Sequence, residues 1–222
     1  MHTNPGHEPF FLVGGRLCID FANTVRAPGH PAGHLGSWEA LIDFLWAAGA
    51  VDRGAARRLE RLAQTDRTGC ARALGQALAL REMIRRLLAA LEAGRSAAAA
   101  TVGCLNEILR ASAGHDRLVR ESGHWQVRFV PDYDHPLAAV VLIARSAAEV
   151  IAEGPSVPVR QCAHPECVLY FYDDSKAGRR RWCSMAACGN RMKVAAYARR
   201  ARRERGRRAA ALAGQRETPR RA

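Results

Sequence analysis

Lysine is almost absent from this chain: Lys176 and Lys193 are the only two among 34 Lys+Arg residues. Aromatic residues are scarce as well, at 6%. No apolar run approaches the roughly 18 residues of a membrane helix, which argues against a helical membrane protein. Residues 1–9 lack the basic and then apolar stretches of a secretory leader, so a cytoplasmic protein is expected. There is no glycine-rich phosphate loop, no His-Glu-x-x-His and no nucleophile elbow, and on that ground the chain is expected not to be an enzyme. Seven cysteines, an odd number, suit reduced thiols better than a disulfide framework.

What is present lies mostly at one end. The sequence has a formal net charge of +13 over 222 residues. Residues 176–208 supply +12 of it, with Glu204 the only acid among them, while residues 1–175 sum to −1. Biased composition inflates arginine everywhere but does not gather it into one segment. Such asymmetry points to an anionic polymer as partner.

Four of the cysteines fall in the same region, as Cys162-x4-Cys167 and Cys183-x4-Cys188. Two close pairs across a hairpin-length spacer are what a tetrahedral four-thiolate zinc site requires. With no ligand position left for water, one structural Zn²⁺ is expected rather than a catalytic one. His164, inside the first pair, is read as a turn residue facing solvent. Cys18, Cys70 and Cys104 lie in apolar sequence and are expected in the core.

The fold class expected is mainly α with two small β-hairpins: a helical N-terminal domain, then a treble-clef-like four-cysteine finger of knuckle, β-hairpin and helix. Residues 10–13 and 16–19 flank Gly14-Gly15 and predict a first hairpin. Residues 26–36 predict a loop. Ser37 and Asp52 predict the caps of two helices, and a long helix is expected over about 70–93. Another helix should start near Ser96. Residues 117–130 alternate as a second hairpin, and an apolar helix follows Pro136. In the finger, residues 168–172 and 179–183 are expected to pair as strands, after which Ser184 caps a helix. Domain boundaries follow: 1–155 as a separable helical, regulatory or ligand-binding unit, 156–205 as the finger, and 206–222 as a basic, disordered tail.

The segment holding Arg160-Gln-Cys162, Phe171-Tyr-Asp-Asp-Ser175, Arg180-Arg-Trp-Cys183 and Cys188-Gly189-Asn190-Arg191 resembles the CGNR zinc finger family. The run Leu17-Cys-Ile-Asp-Phe-Ala-Asn-Thr24, with Leu80-Arg81-Glu82, resembles the ABATE domain that precedes that finger. The resemblance spans essentially the whole chain. It implies a bacterial, stress-related transcription regulator whose finger binds DNA.

Arg199, Arg200, Arg202 and Arg203 on the last helix are candidates to neutralise phosphates, together with Lys193, Arg179 and Arg181. Asn190 and Arg191 have two readings: contacts to base edges or phosphates, or capping and a bond to Asp173 or Asp174. Tyr170, Phe171 and Tyr172 either stack on single-stranded bases or alternate between core and surface. Asp20, Asn23 and Arg81 either line a small-effector pocket or tie the N-terminal segment to the helices. Duplex DNA is the expected partner, with a nucleoid location and a possible homodimer. The alternatives are an RNA-binding or ribosome-associated protein, and a protein-interaction finger beside an N-terminal enzyme or ligand-binding domain.

Overall fold

The computed structural model describes residues 10–25, 35–121, 123–154 and 156–216. Six helices build the N-terminal body: α1 (Leu17–Ala22), α2 (Trp38–Ala47), α3 (Arg53–Thr65), α4 (Arg67–Glu92), α5 (Ala99–Arg110) and α6 (Leu137–Ala152). Between α5 and α6 stands an antiparallel hairpin, β1 (Gly114–Glu121) and β2 (His124–Pro131). The finger has a second hairpin, β3 (Val159–Gln161) and β4 (Tyr170–Tyr172), then a π-helical turn (Met185–Gly189) and α7 (Asn190–Arg216). The helix caps lie where the sequence places them. Ser37 accepts from the Ala40 amide and Asp52 from the Ala55 amide, at 3.1 and 2.8 Å. Each satisfies an N–H group that has no partner within its helix.

The hairpin expected over residues 10–19 does not form; α1 stands there instead. Cys18, Ile19, Phe21 and Ala22 are all fully buried. A short helix buried on nearly every side is a continuous apolar run, which periodicity cannot tell from a strand. Gly14 and Gly15 enter this helix rather than turning a hairpin. Asp20 reaches back so that its Oδ1 accepts from the Gly14 amide at 2.7 Å. A Cβ on Gly14 would meet the Asp20 amide at 2.7 Å, and Gly15 has a positive φ of 75°. The two hairpins of the fold are therefore β1–β2, as expected, and β3–β4. The loop over 26–36 lies largely outside the described residues, as does Pro155 of the inter-domain link.

Cys18 and Cys70 are core residues, but Cys104 is exposed. Helix α5 buries only Leu105 completely, and Cys104 lies on its solvent side. The last helix also differs from expectation: α7 continues through Gly206 to Arg216 rather than ending near residue 205.

The finger is not a separate bead. Val157, Val159 and Tyr170 belong to the same buried cluster as Phe21, Ile84 and Leu88. In return, Phe11, Val13 and Val25 of the N-terminal segment pack on the cluster formed by the four cysteines, Leu169 and Phe171. Polar bonds lock the two together. The Asn23 amide donates to the Tyr170 carbonyl at 2.8 Å and accepts from the Tyr170 N–H at 2.9 Å, acting as one more strand residue beside β4. The Tyr172 N–H donates to Gly14 O at 2.8 Å, and the Gln161 N–H to Glu92 Oε1 at 2.8 Å. The charge break near residue 155 is thus not a packing break. A chain cut after residue 155 loses three core side chains and both hydrogen-bond partners of the Asn23 amide. It is expected to bind a hydrophobic dye and unfold without a sharp transition; a cooperative melt matching that of the full chain would contradict the shared core.

Candidate metal centre and basic helix

The strand β3 runs into Cys162, the chain turns through Cys167, and β4 returns. The knuckle is closed by Cys162 N–H to Leu169 O at 2.9 Å and Cys167 N–H to His164 O at 2.9 Å. The second pair is set by the π-helical turn. Ser184 O accepts from both Cys188 and Gly189, at 3.1 and 3.0 Å, and this wide turn brings Cys188 beside Cys183. All four sulfurs are buried and lie within 4.8 Å of one another. Cys167 and Cys183 stand 3.8 Å apart, Cys183 and Cys188 3.6 Å. A tetrahedral ion with Zn–S bonds of about 2.3 Å holds its sulfurs about 3.8 Å apart, so the donor set fits one zinc. A disulfide needs about 2.05 Å. His164 is no ligand; its Nδ1 accepts from the Glu166 amide at 3.2 Å.

Without a metal, the four thiols restrain one another. Cys162, which accepts from the Cys183 thiol, is lowered to about 4. Burial, with repulsion from the Cys162 thiolate, pushes Cys167 up to about 12. Cys183 is raised as well, first because it donates to Cys162. A second thiolate is unfavourable until a dication arrives, so metal binding must expel protons.

The expected return strand over 179–183 is absent. Side chains take the place of the ladder. Asp173 is fully buried and accepts from the amides of Ser175 and Arg180 at 3.2 and 3.0 Å, while Arg160 Nε lies 3.1 Å away. Burial alone would raise its carboxyl, but the Ser175 and Arg180 hydrogen bonds, with Arg160 beside them, hold it below the usual carboxylate range. The Arg180 side chain turns inward, donating to the carbonyls of Val13, Trp182 and Cys183 and stacking 4.4 Å from the Phe171 ring. Arg179 and Arg181 remain exposed on either side of it, while Trp182 packs on the cysteine cluster.

The Cys-Gly-Asn-Arg run has a local explanation. Cys188 offers a sulfur. Gly189 permits close approach: a Cβ there would meet Met185 Sδ at 2.6 Å and the Trp182 ring at 3.1 Å. Asn190 is exposed at the start of α7. Arg191 donates to Cys188 Sγ at 3.4 Å, a bond to neither Asp173 nor Asp174. This contact, followed by the charge of nearby Cys188, raises the Arg191 guanidinium above its ordinary value. A guanidinium on a thiolate offsets the negative charge of a four-thiolate zinc centre. Arg191→Ala is accordingly expected to weaken zinc retention about tenfold in competition with a chromophoric chelator. Unchanged zinc affinity alongside weaker binding to a preferred duplex would instead make Arg191 a base reader.

The N-terminal polar trio does not converge on one pocket. Asp20 binds the Gly14 amide, Asn23 binds β4, and Arg81 Nη1 donates to the Thr24 carbonyl at 3.0 Å. Neither of two surface clefts is lined by any of them. Burial lifts the Asp20 carboxyl from 3.8 to about 6, against the pull of the Gly14 and Val13 amides and of Arg180. Because the folded value exceeds the unfolded one, folding takes up a proton. The resulting stability is complete below about pH 4 and is lost as the pH rises through about 6. Asp20→Asn removes this dependence. Relative to the variant, the wild type should lose about 2–3 kcal/mol between pH 4 and pH 7.5 in paired denaturant titrations. A difference that stays flat with pH would show that Asp20 is not buried as a titrating group.

Tyr170 and Phe171 are buried and Tyr172 is half-buried, its hydroxyl donating to Glu153 Oε2 at 2.6 Å. They form core and framework, not a stacking platform. In contrast, α7 beyond the π-helical turn is open. Val194 and Tyr197 are 69% and 71% exposed, and Lys193, Arg199, Arg200, Arg202 and Arg203 are all exposed. None of these five makes an ion pair among the described residues.

The fold and the site define a class: a helical domain interlocked with a four-thiolate metal-binding finger that carries a cationic helix. Residues 15–154 match the ABATE family, whose description reads "Putative stress-induced transcription regulator". Residues 159–201 match the CGNR zinc finger. The chain belongs to the ABATE family and carries a CGNR zinc finger. A search of curated proteins gives no match. No helix among the described residues is long and apolar enough to cross a membrane.

Proposed function

We propose that the protein is a transcription regulator that binds duplex DNA through the finger and α7, with one structural zinc per chain. The observation that carries this reading is the exposure of a cationic helix whose first turn is anchored to a zinc ligand by Arg191. Arg199, Arg200, Arg202 and Arg203 neutralise phosphates, with Lys193, Arg179 and Arg181 alongside. Asn190, exposed at the start of α7, is the group placed to meet a base edge. Arg191 acts through the zinc site. The burial of Tyr170 and Phe171 favours a duplex over single-stranded RNA, because it removes the aromatic surface on which unpaired bases would stack. The reading is of a regulator in the cytoplasm, at the nucleoid, and not of an enzyme.

Competition between duplex DNA and a structured RNA of equal length, at one fixed salt concentration, tests it. The duplex should displace the RNA. Displacement in the opposite direction would make this an RNA-binding protein.

A further inference from the structure

The body that precedes the finger is nearly neutral, yet its charge is not evenly spread. An open cleft of about 1640 Å³ lies between α3, α6 and the β1–β2 hairpin, and eight arginines line it against three carboxylates. Residues 1–175 hold eighteen arginines and sum to −1, so an excess of five positive charges on one concave surface is segregation, not composition. Arg57 and Arg61 stand one turn apart on α3, facing the hairpin across the cleft. Arg57, Arg61, Arg117 and Arg145 make no ion pair among the described residues.

The hairpin supplies three of these arginines, Arg117, Arg120 and Arg128, and its register sets Arg117 directly opposite Arg128. Leu118, Trp125 and Val127 share one face of the hairpin and are 65%, 68% and 67% exposed. Both faces reach the cleft, Arg117, Val119 and Arg128 from one and Arg120, Val127 and Phe129 from the other. At the base, half-buried Arg145 lies 4.3 Å over the Phe129 ring beside the cleft.

The geometry points to a second anion site, in the N-terminal body, that takes a phosphate-rich ligand. Planar guanidinium forks on both walls match phosphate oxygens, and a run of linked phosphates matches the number of forks. A free nucleoside polyphosphate and a nucleic-acid backbone share this chemistry. The site does not depend on α7: the loss of DNA binding by the finger would leave it intact.

The test titrates the full-length, zinc-loaded protein with tripolyphosphate by calorimetry. Saturable binding is expected, and it should persist when Arg199, Arg200, Arg202 and Arg203 are all changed to Gln. Arg57→Gln/Arg61→Gln/Arg145→Gln should weaken it at least tenfold, and Arg145→Gln alone by a smaller factor, with unchanged melting showing that the variants fold. The α7 variant also identifies the source. Displacement of tripolyphosphate by a short duplex assigns the cleft to a nucleic-acid backbone, and failure to displace assigns it to a free polyphosphate; either outcome keeps the site. No saturable binding at millimolar concentration would overturn it, as would loss of binding in the α7 variant with retention in the cleft variant.

Discussion

Cys183→Ser should yield a chain that holds no zinc and melts far below the wild type along its whole length. Serine offers no thiolate, and three sulfurs with an open fourth position bind zinc weakly. Zinc binding in small fingers is worth about 10–16 kcal/mol, which serves as folding energy there. From the sequence alone, the damage should stop at the finger and spare residues 1–155. The structure extends it. Cys183 lies in the cluster on which Phe11, Val13 and Val25 pack, and its carbonyl accepts from Arg180, which also binds Val13. Asn23 then loses the strand that satisfies its amide. Elemental analysis should find about one zinc per wild-type chain and none in the variant, with near-ultraviolet signals from both regions reduced. A zinc-free variant with wild-type melting would show that the metal is not what holds the finger.

The second large effect concerns α7. If about six cations meet phosphates, the logarithm of the binding constant should fall against the logarithm of salt with a slope of about −5. Changing Arg199, Arg200, Arg202 and Arg203 to Ala removes four of those contacts and should leave a slope of about −2, with most of the affinity lost at low salt. These side chains are exposed and unpaired among the described residues, so folding and zinc content should not change. An unaltered slope with zinc and fold intact would move the finger to a protein-interaction role.

Much of this was legible in the sequence. Cysteine spacing places a metal site without reference to the rest of the fold, because four ligands at fixed intervals have few other uses. Ser37 and Asp52 mark helix starts by backbone chemistry that is local. The misreadings concern residues whose partners are distant. Leu17–Ala22 is helical because it is enclosed on all sides by α4, α6 and β4, which no short window contains. Arg180 reads as one more member of a basic run, yet its partners include a residue 167 positions away. From sequence Arg191 is expected to meet DNA or an aspartate, whereas it meets a sulfur three positions back; a thiol is a weak acceptor until a metal displaces its proton. The arginine cleft has no signature in sequence because its members come from the residue before α1, from α3, the hairpin and α6, and the segment carrying them is neutral in sum.

The account stands most directly on selection from a random duplex pool by zinc-loaded protein at moderate salt. It predicts recovery of duplexes that share a short sequence, and loss of that recovery when the zinc is stripped or the four α7 arginines are replaced. Zinc-loaded protein that retains no duplex, or that retains it equally well after the metal is removed, would contradict it.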